Sequence, residues 1–352
     1  MLKTMISAFA ALATALILGG APAAWAADPI QLDLGSWVPS THHLAVNAFE
    51  PWKKIVEEKT SGRVKVNVYH GGVLGTSKAV LADVKGGVYD VGLMISGYYY
   101  DTPIFKLTIG ELPFAITSQT AGSKVMEEFT DKYGKDVFEK LGIKNMGVFV
   151  SESYVLFSTK PIRRFEDMKG KRIRAAGKAW VQIDKAWGAV PTPMQPEEAY
   201  TALERGTLDV MQYGPSSAMG WKYYEPAPYV TLVNTPTIIG GMIMNKTFYD
   251  KLPADLKKLF DEELNPALMN LINKTYREGT NEALEKMRGI FKAKGKGEVI
   301  ILSPEEQTKF VKPTEPEWAA WVKEANKRGY PGEAMMADFK AMLKKNGIAP
   351  PF

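Results

Sequence analysis

The sequence predicts an α/β protein built from two similar lobes. Strand-like and helix-like hydrophobic periods alternate from residue 30 to 94, and the same alternation returns from about residue 146 to 212. In both parts a helical segment leads into a Gly-X-X-Asp turn and an apolar strand, as LADVKGGVYDV at 81–91 and TALERGTLDV at 201–210. The chain has 352 residues, 45% hydrophobic and 24% charged, and is long enough for two lobes with sizeable cores.

The N-terminus predicts a signal peptide over residues 1–26. Lys3 precedes a long apolar run, and Ala24-Trp25-Ala26 has the small-X-small pattern of a cleavage site. A membrane anchor is the alternative, but Gly19, Gly20 and Pro22 interrupt the run short of the ~20 apolar residues that a span needs. We therefore expect export to the periplasm and a mature chain that starts at Ala27.

The first lobe is predicted from three local patterns. IQLDL at 30–34 alternates apolar and polar residues as a strand does, NAFEPWKKIVEE at 47–58 has helical spacing, and VKVNVYH at 64–70 returns to strand alternation. The predicted order is completed by a glycine turn at 71–75, a helix at 78–85 and a strand at 88–94.

The second lobe repeats this order. MGVFVSESYVLF at 146–157 and KRIRAAG at 171–177 are strand-like, and AWVQIDKAWG at 179–188 suits a helix that Gly188 ends. Another helix opens at 194–198 and ends at Gly206, before a strand. Gly87 and Asp90 of the first copy correspond to Gly206 and Asp209 of the second. Such residues are common in turns, so the echo indicates two lobes and nothing more.

The rest of the chain is predicted to be mostly helical. After Gly240-Gly241 the segment 252–291 is almost continuously helical in pattern, with Pro266 marking a kink or a break. A capping box at 303–306 starts a further helix. We expect this tail to pack across both lobes and tie them together.

Composition excludes several classes of protein. The chain has no cysteine, which excludes disulfides, thiolate metal sites and cysteine nucleophiles. Its net charge of +5 comes from interleaved charges without a strong basic stripe, so a nucleic-acid partner is not predicted.

Catalytic motifs are also missing. The sequence contains no HExxH, Walker-type loop or GxGxxG, and 214–218 lacks the closing glycine of a nucleophile elbow. With only His42, His43 and His70 as histidines, a catalytic triad is not expected. A catalytic role for His42 and His43 is less favoured than lining a pocket or lying in solvent. We predict a protein that is not an enzyme and has no cofactor.

One residue suggests recognition of a charged group. In KGKRIRAAG the strand alternation puts Arg172 and Arg174 on one face, and Arg174 leads directly into the small residues 175–177. An arginine at the C-terminal end of an inner strand can form a bidentate pair with a carboxylate. A surface ion pair is the alternative for either arginine.

Taken together, the motifs resemble the DctP-type solute-binding proteins of tripartite ATP-independent periplasmic (TRAP) transporters. The most specific part is KPIRRFEDMKGKRIR at 160–174 followed by PEEAYTALERGTLDV at 196–210. The similarity also includes GGVLG at 71–75, ELPFAI at 111–116 and VNTPTIIGG at 233–241, in the order and spacing of the family.

This resemblance implies a two-lobed periplasmic binding protein (type II-like), with lobes joined by crossover strands and a long helix. Lobe I is expected to comprise residues 27–151 plus about 240–285, and lobe II residues 152–239 plus about 286–352. The family also implies a monomeric or dimeric receptor that closes on a small organic acid and delivers it to TRAP permease membrane subunits.

The resemblance places Arg174 where the family's arginine pairs with the ligand carboxylate. Gln212 matches a polar residue after the second Gly-X-X-Asp turn, and Asn234 matches an asparagine near the return crossover. Further ligand-binding candidates, chosen by neighbourhood, are Tyr213, Trp37, His42, Gly97, Tyr98 and Tyr154.

Departures from the family pattern bear on the ligand. Many dicarboxylate-binding members have a second arginine where this chain has Ser153 and Tyr154, so a second carboxylate clamp is not predicted. Met211 and Gln212 stand where metal-dependent relatives have a carboxylate, so no metal is expected. Aromatic walls favour a monocarboxylate with an apolar or aromatic body. The alternatives are a C4-dicarboxylate, a sensor-type binding protein that signals to a receptor kinase and, less favoured, an exported hydrolase.

Overall fold

The computed structural model of the protein describes residues 28–352, and the predicted signal peptide lies outside this range. Its strands are β1 (Ile30–Gly35), β2 (Val64–Tyr69), β3 (Val91–Ile95), β4 (Ile143–Val150), β5 (Tyr154–Ser158), β6 (Arg172–Ala175), β7 (Val190–Pro193), β8 (Val210–Tyr213), β9 (Tyr229–Thr235), β10 (Ile239–Asn245) and β11 (Glu298–Ile301). Within this range, no helix combines the length and the apolar character that crossing a bilayer requires.

The α-helices of the described range connect these strands. They are α1 (Glu50–Lys59), α2 (Val80–Gly86), α3 (Gln119–Tyr133), α4 (Lys135–Leu141), α5 (Lys178–Ala186), α6 (Pro196–Glu204), α7 (Pro215–Trp221), α8 (Lys246–Lys251), α9 (Ala254–Leu259), α10 (Asn265–Lys294), α11 (Pro304–Val311), α12 (Pro316–Lys327) and α13 (Gly332–Lys345). Short 3-10 helices cover Ser96–Tyr99, Pro103–Glu111, Phe165–Met168 and Lys312–Thr314, and π-helical turns cover Ala45–Phe49 and Phe260–Leu264.

Two separate sheets confirm the two predicted α/β lobes. The sheet of lobe I has the order β2-β1-β3-β10-β4, with β1 to β3 parallel and β10 antiparallel to both of its neighbours. The sheet of lobe II has the order β11-β9-β5-β8-β6-β7, in which β6, β7 and β8 are parallel. Both sheets bury apolar side chains under helices, as α/β layers require.

The repeated Gly-X-X-Asp turn has the same geometry in both lobes. Gly87 and Gly206 have φ values of 73° and 67°, which favour glycine because a side chain is strained there. The Asp90 side chain accepts a hydrogen bond from the backbone N–H of Asp33 at 2.8 Å, and Asp209 does the same for Arg172 at 2.9 Å. Each aspartate therefore ties the start of its strand to the neighbouring strand.

Two crossover segments and a long helix join the lobes, as the family resemblance implies, and a fourth connection follows α11. Residues 151–153 lead from β4 to β5, residues 236–238 lead from β9 to β10, and α10 packs against β4 of lobe I as well as α7 of lobe II. Pro266 does not break the helical path, because a π-helical turn at Phe260–Leu264 immediately precedes it and the chain stays helical from Ala254 to Lys294.

The C-terminal helices differ from the sequence expectation, which assigned them to lobe II. The indole of Trp318 donates to the carbonyl of Pro113 at 3.2 Å, and that of Trp321 donates to Thr108 Oγ1 at 3.0 Å. Helix α13 packs against α3. The chain therefore returns to lobe I after α11, although α12 also packs against α5 of lobe II.

Candidate functional site

Arg174 lies buried where the two lobes meet. Its position on β6 is two residues closer to the C-terminal end of the strand than that of Arg172, and its side chain is only 1% exposed. Nε donates to the carbonyl of Met194 at 3.0 Å, and Nη2 donates to the hydroxyl of Tyr98 at 3.1 Å. Because Tyr98 follows β3 of lobe I, the second bond links the lobes.

The protein does not balance the charge of Arg174 with a carboxylate. Among residues 28–352, no Asp or Glu oxygen lies within 4.0 Å of its guanidinium. Arg172, in contrast, is 43% exposed and makes hydrogen bonds of 2.8 and 2.7 Å to Asp209. Burial of a cation without an anion is costly, so Arg174 is placed to receive an anion from outside the protein.

Seven aromatic side chains surround this arginine in a chain of ring contacts, which we call the aromatic belt. Successive ring centroids lie 5.3–6.5 Å apart. The belt runs through Tyr98, Trp37, Trp221, Tyr223, Tyr213, Tyr154 and Trp180. Rings from both lobes thus place apolar surface around one buried cation, as many ligand sites do.

The lobes touch along the sides of the site. Ser77 of lobe I bonds to the N-terminal end of α6, with its Oγ 2.9 Å from Gln195 Oε1 and its N–H 2.9 Å from Glu197 Oε1. Asp101 and Lys178 form an ion pair of 2.6 Å across the interface. These contacts hold the lobes together over Arg174.

Two glycines allow a close approach of the lobes. A Cβ atom on Gly177 of lobe II would lie 2.6 Å from the carbonyl oxygen of Gly97 in lobe I. That distance is shorter than any side chain tolerates, so Gly177 is needed for this contact rather than for its backbone conformation.

Gln212 has a different neighbour from the one the family resemblance suggests. Its Nε2 donates to Asp184 Oδ1 of α5 at 2.5 Å, and both side chains are almost fully buried. Burial raises the pKa of Asp184 well above its usual range, although the hydrogen bond from Gln212 and the charge of Arg174 act in the opposite direction. Asp184 has no oxygen within 4.0 Å of the guanidinium, so it forms no ion pair with Arg174.

Glu111 is a second buried acid in the cleft and was not found by sequence reasoning. Its Oε1 accepts hydrogen bonds from Ser96 Oγ at 2.6 Å and from the N–H groups of Gly97 and Ile239, both at 3.2 Å. Burial raises its pKa to about 7 despite these hydrogen bonds. Its sequence signal is a lone charged residue in the apolar segment LTIGELPFAI.

A polar cluster at the hinge lies apart from Arg174. Glu152, between β4 and β5, accepts from the backbone N–H groups of Ser216 and Ser217 and from the hydroxyl of Thr280. The two serine hydroxyls also lie 2.8 and 3.1 Å from the ring nitrogens of His43. We call Glu152, Ser216, Ser217, Thr280 and His43 the hinge cluster. Its carboxylate bonds directly to the serines and not to the histidine, unlike a catalytic triad.

The structure brings some of the predicted ligand-binding residues together and places others elsewhere. Tyr98, Trp37, Tyr154 and Tyr213 belong to the aromatic belt, and Gly97 bonds to Glu111. The side-chain contacts of His42 are local, since its Nδ1 accepts from the N–H of Leu44 at 3.2 Å and its ring packs on His43, while its backbone lies against Gly220 of α7. Asn234 lies on β9, and its side chain is outside the part of the structure that is described.

Sequence reasoning missed Trp180, Trp221, Tyr223 and Asp184 as well as Glu111. Asp184 had a local signal, because it is the one acid on the apolar face that Trp180, Ile183 and Trp187 define in α5. Trp221 at the end of α7 and Tyr223 just after it had none, since their other belt neighbours, Trp37 and Tyr213, come from other segments.

The chain is similar to known binding proteins over most of its length. The family model described as bacterial extracellular solute-binding protein, family 7 (DctP) matches residues 35–325. The C4-dicarboxylate-binding periplasmic protein DctP of Shewanella loihica is 24% identical over 311 residues, which are 87% of this chain and 89% of that protein.

Solved structures share the fold. A TRAP periplasmic solute-binding protein from Desulfovibrio salexigens, an open complex, is 26% identical with a TM-score of 0.74 and covers 92% of this chain and 98% of its own. A TRAP solute-binding protein from Rhodoferax ferrireducens, in complex with copurified benzoate, is 22% identical with a TM-score of 0.80 and covers 90% and 98%. The chain belongs to the DctP family of bacterial extracellular solute-binding proteins and is a solute-binding protein of the TRAP type.

Proposed function

We propose that the protein is a periplasmic receptor for a monocarboxylate with an apolar or aromatic body, which it delivers to the membrane subunits of a TRAP permease. The observation that carries this proposal is the buried guanidinium of Arg174, which has no carboxylate within 4.0 Å among residues 28–352. A ligand carboxylate supplies the missing anion and can bind the guanidinium through two hydrogen bonds.

The surroundings of Arg174 support a ligand with one carboxylate. The aromatic belt offers ring faces and edges rather than cations, and such walls favour an apolar body. Tyr154 and the partly buried Ser153 occupy the position of a second arginine in many dicarboxylate receptors. A ligand with a second carboxylate would meet no cation at that position.

A C4-dicarboxylate is the second candidate, because the Shewanella loihica relative is named for that ligand class. The Rhodoferax ferrireducens structure holds benzoate, so the fold itself accommodates both classes. The choice between them therefore rests on the residues of this chain.

A thermal-unfolding screen of organic acids identifies ligands for the test. At ~100 times Kd a ligand stabilises the folded protein by about 2.7 kcal/mol, which corresponds to a shift on the order of 5–11 °C. We expect large shifts from a few monocarboxylates and a flat response from other acids. Uniform small shifts would contradict a specific receptor.

Arg174→Ala then tests the site by calorimetry with the acid that gives the largest shift. Removal of one member of a buried charge pair costs about 2–5 kcal/mol, so we expect affinity to fall between roughly 30-fold and several thousand-fold. Arg174→Lys should also bind poorly, because an ammonium lacks the planar fork of the guanidinium.

Arg172→Ala is the matched control. It removes an arginine from the same strand face, but one that already pairs with Asp209 and is 43% exposed. We expect nearly unchanged affinity. Near-normal binding by a cooperatively folded Arg174→Ala variant would refute the proposed site.

A further inference from the structure

Glu111 and Arg174 both bond to the short segment 96–98 of lobe I, from opposite sides. Glu111 bonds to Ser96 and Gly97 in this segment, and the next residue, Tyr98, accepts from Arg174. The glutamate is 2% exposed, so its carboxyl group is part of the closed interface rather than of the outer surface. A ligand held by Arg174 therefore lies next to a segment whose other side carries an acid.

No cation compensates this acid. Among residues 28–352, no Lys, Arg or His nitrogen lies within 4.0 Å of the Glu111 carboxyl. Its bonding partners are a hydroxyl and two backbone N–H groups, and all three bond to Oε1. The buried indole N–H of Trp180 lies close enough to Glu111 to lower the pKa of the acid, although it makes no hydrogen bond of standard geometry in the described range. A second negative charge brought to this side of the cleft would meet an uncompensated carboxylate.

From this geometry we propose that Glu111 determines specificity: it admits a ligand with a second carboxylate only when Glu111 itself is protonated. The inference rests on the proposed function, since Arg174 must first hold one carboxylate. A monocarboxylate has no second charge that an ionised Glu111 would repel, so it can bind whether Glu111 is protonated or ionised. A dicarboxylate must bind together with a proton, because two anions in a water-poor cleft repel each other strongly.

The direction of the pH dependence follows from the protonation of Glu111. Its pKa is raised to about 7, so the acid is largely neutral at pH 6 and largely ionised at pH 8.5. Uptake of one proton makes the affinity for a dicarboxylate fall about tenfold for each pH unit above 7. The affinity for a monocarboxylate has no such dependence.

Other charged groups near Glu111 do not mimic this effect. It lies in the lining of a crevice of about 550 Å³ whose charged members include Asp101, Lys178, Glu317, Glu324 and Lys327. Lys178 pairs with Asp101, and Glu324 pairs with Arg328 and Lys327. Burial raises the pKa of Glu317, which has no ion-pair partner in the described range.

Tyr98 and Tyr154 also face the acid, and burial raises the pKa of both phenols above its usual value, so they stay neutral in this pH range. Asp184 lies on the Arg174 side, next to the carboxylate that a diacid and its monoamide have in common, so its effect cancels in the ratio of their Kd values.

Two matched pairs of probes isolate the second charge. Succinate and succinamate differ only by a carboxylate in place of an amide, and terephthalate and 4-carbamoylbenzoate form the corresponding aromatic pair. For wild type we expect the ratio of the Kd of each diacid to that of its monoamide to rise at least tenfold between pH 6.5 and 8.5. Calorimetry in buffers of different ionisation enthalpy should show uptake of close to one proton per diacid at pH 8.5 and none per monoamide.

Glu111→Gln should abolish both effects, because the amide oxygen still accepts from Ser96 and Gly97 while the charge is gone. Glu317→Gln is the control: it removes an acid from the same crevice and should behave as wild type. If Glu111→Gln does not unfold cooperatively, proton uptake by wild type decides the question.

The outcomes separate this inference from the proposed function. If wild type binds a monoamide and Arg174→Ala loses it, but the ratio does not change with pH or changes equally in Glu111→Gln, only the role of Glu111 is overturned. If wild type binds none of the monoamides, or Arg174→Ala binds them as wild type does, the proposed function fails and the inference falls with it.

Discussion

Asp90 and Asp209 occupy equivalent positions in the two lobes, yet their surroundings have opposite charge. Arg172 faces Asp209, and its hydrogen bonds hold the pKa of that carboxyl below its usual value although partial burial acts in the opposite direction. Asp33 faces Asp90, whose pKa is raised mainly by burial and further by the charge of Asp33. Folding therefore raises the pKa of the turn aspartate in lobe I and lowers the pKa of the equivalent aspartate in lobe II.

Asparagine substitutions at these positions should change the pH dependence of stability in opposite directions. Asp209 has a lowered pKa, so it stabilises the folded protein at neutral pH and loses this effect as pH falls. Asp209→Asn should therefore reduce the free energy of unfolding at pH 7 by about 1 kcal/mol, and the difference from wild type should shrink toward pH 3.5. Asp90 has a raised pKa, so its protonated form is favoured and wild type loses stability as pH rises.

Asp90→Asn should thus gain stability relative to wild type between pH 3.5 and 7. Urea unfolding of both variants across that range is the measurement, with wild type as reference. A difference that changes in the same direction for both variants would contradict the assignment. The sequence showed the repeated aspartates but not their partners, because Asp33 and Arg172 are 57 and 37 residues away.

At the scale of elements, the hinge cluster fixes how the first crossover meets lobe II. Oε1 of Glu152 accepts from Ser217 N–H at 3.1 Å and Oε2 accepts from Ser216 N–H at 3.0 Å. The Oε2 atom also accepts from Thr280 of α10 at 2.7 Å. One carboxylate thus joins the crossover, the start of α7 and the long helix.

Glu152→Gln should destabilise the protein although the side chain keeps its shape. Either orientation of the amide points an NH₂ group at a backbone N–H that bonds to the carboxylate in wild type. We expect a loss of about 1–3 kcal/mol, the cost of leaving buried donors unsatisfied. Thr280→Val removes a single hydrogen bond and should cost about 0.5–1.5 kcal/mol. Equal stability of Glu152→Gln and wild type in urea unfolding would show that the cluster does not need the carboxylate.

Helices and strands were predictable where local chemistry determines them. Gly87 and Gly206 have the left-handed conformation of helix-ending glycines, and Ser303 caps α11 as predicted, although Glu306 accepts from the N–H of Phe165 and does not complete the capping box. The path at Pro266 was not predictable, because a π-helical turn absorbs the missing N–H without a change in hydrophobic period. The return of α12 and α13 to lobe I depends on contacts of Trp318 and Trp321 more than 200 residues away, beyond any local pattern.

At the scale of the whole molecule, Gly177 and Gly97 form a close contact between the lobes. Gly177 has extended backbone angles that any residue adopts, so alanine is not strained there by itself. Its Cβ would collide with the carbonyl of Gly97 when the lobes close. We expect Gly177→Ala to keep wild-type stability without ligand, to bind the acid from the screen at least tenfold more weakly and to show less compaction in small-angle X-ray scattering.

Gly289→Ala is the control for this experiment. Gly289 lies within α10, with open space where a Cβ would be added. The substitution should stabilise the protein by about 0.5–1 kcal/mol through helix propensity and leave affinity unchanged. Wild-type affinity of Gly177→Ala would mean that ligand binding does not need this closure.

The sequence predicted the two lobes and the family, and the structure and the comparisons confirm both. The proposed centre of the site, Arg174, was suggested by strand alternation and by the motif around it. The alternation does not distinguish Arg174 from Arg172, since both lie on one face of the strand. Arg174 is buried because it contacts Tyr98 of lobe I, whereas Arg172 stays partly exposed. Glu111 was missed for the same reason, because its neighbours in the cleft come from β3 and β10.

The strand order of lobe I has a consequence for the order in which the parts of the protein can fold. Strand β10 lies between β3 and β4 but follows them in the chain by the whole of β5 to β9. During synthesis from the N-terminus, β1 to β4 are complete before β10 exists. The place between β3 and β4 therefore stays empty until residues 239–245 have been made. The edges of β3 and β4 stay unpaired during that time and are prone to associate with other strands. Lobe I therefore begins the chain but completes its sheet only after β5 to β9 of lobe II have been made, and the sheet of lobe II is completed later still, when β11 arrives.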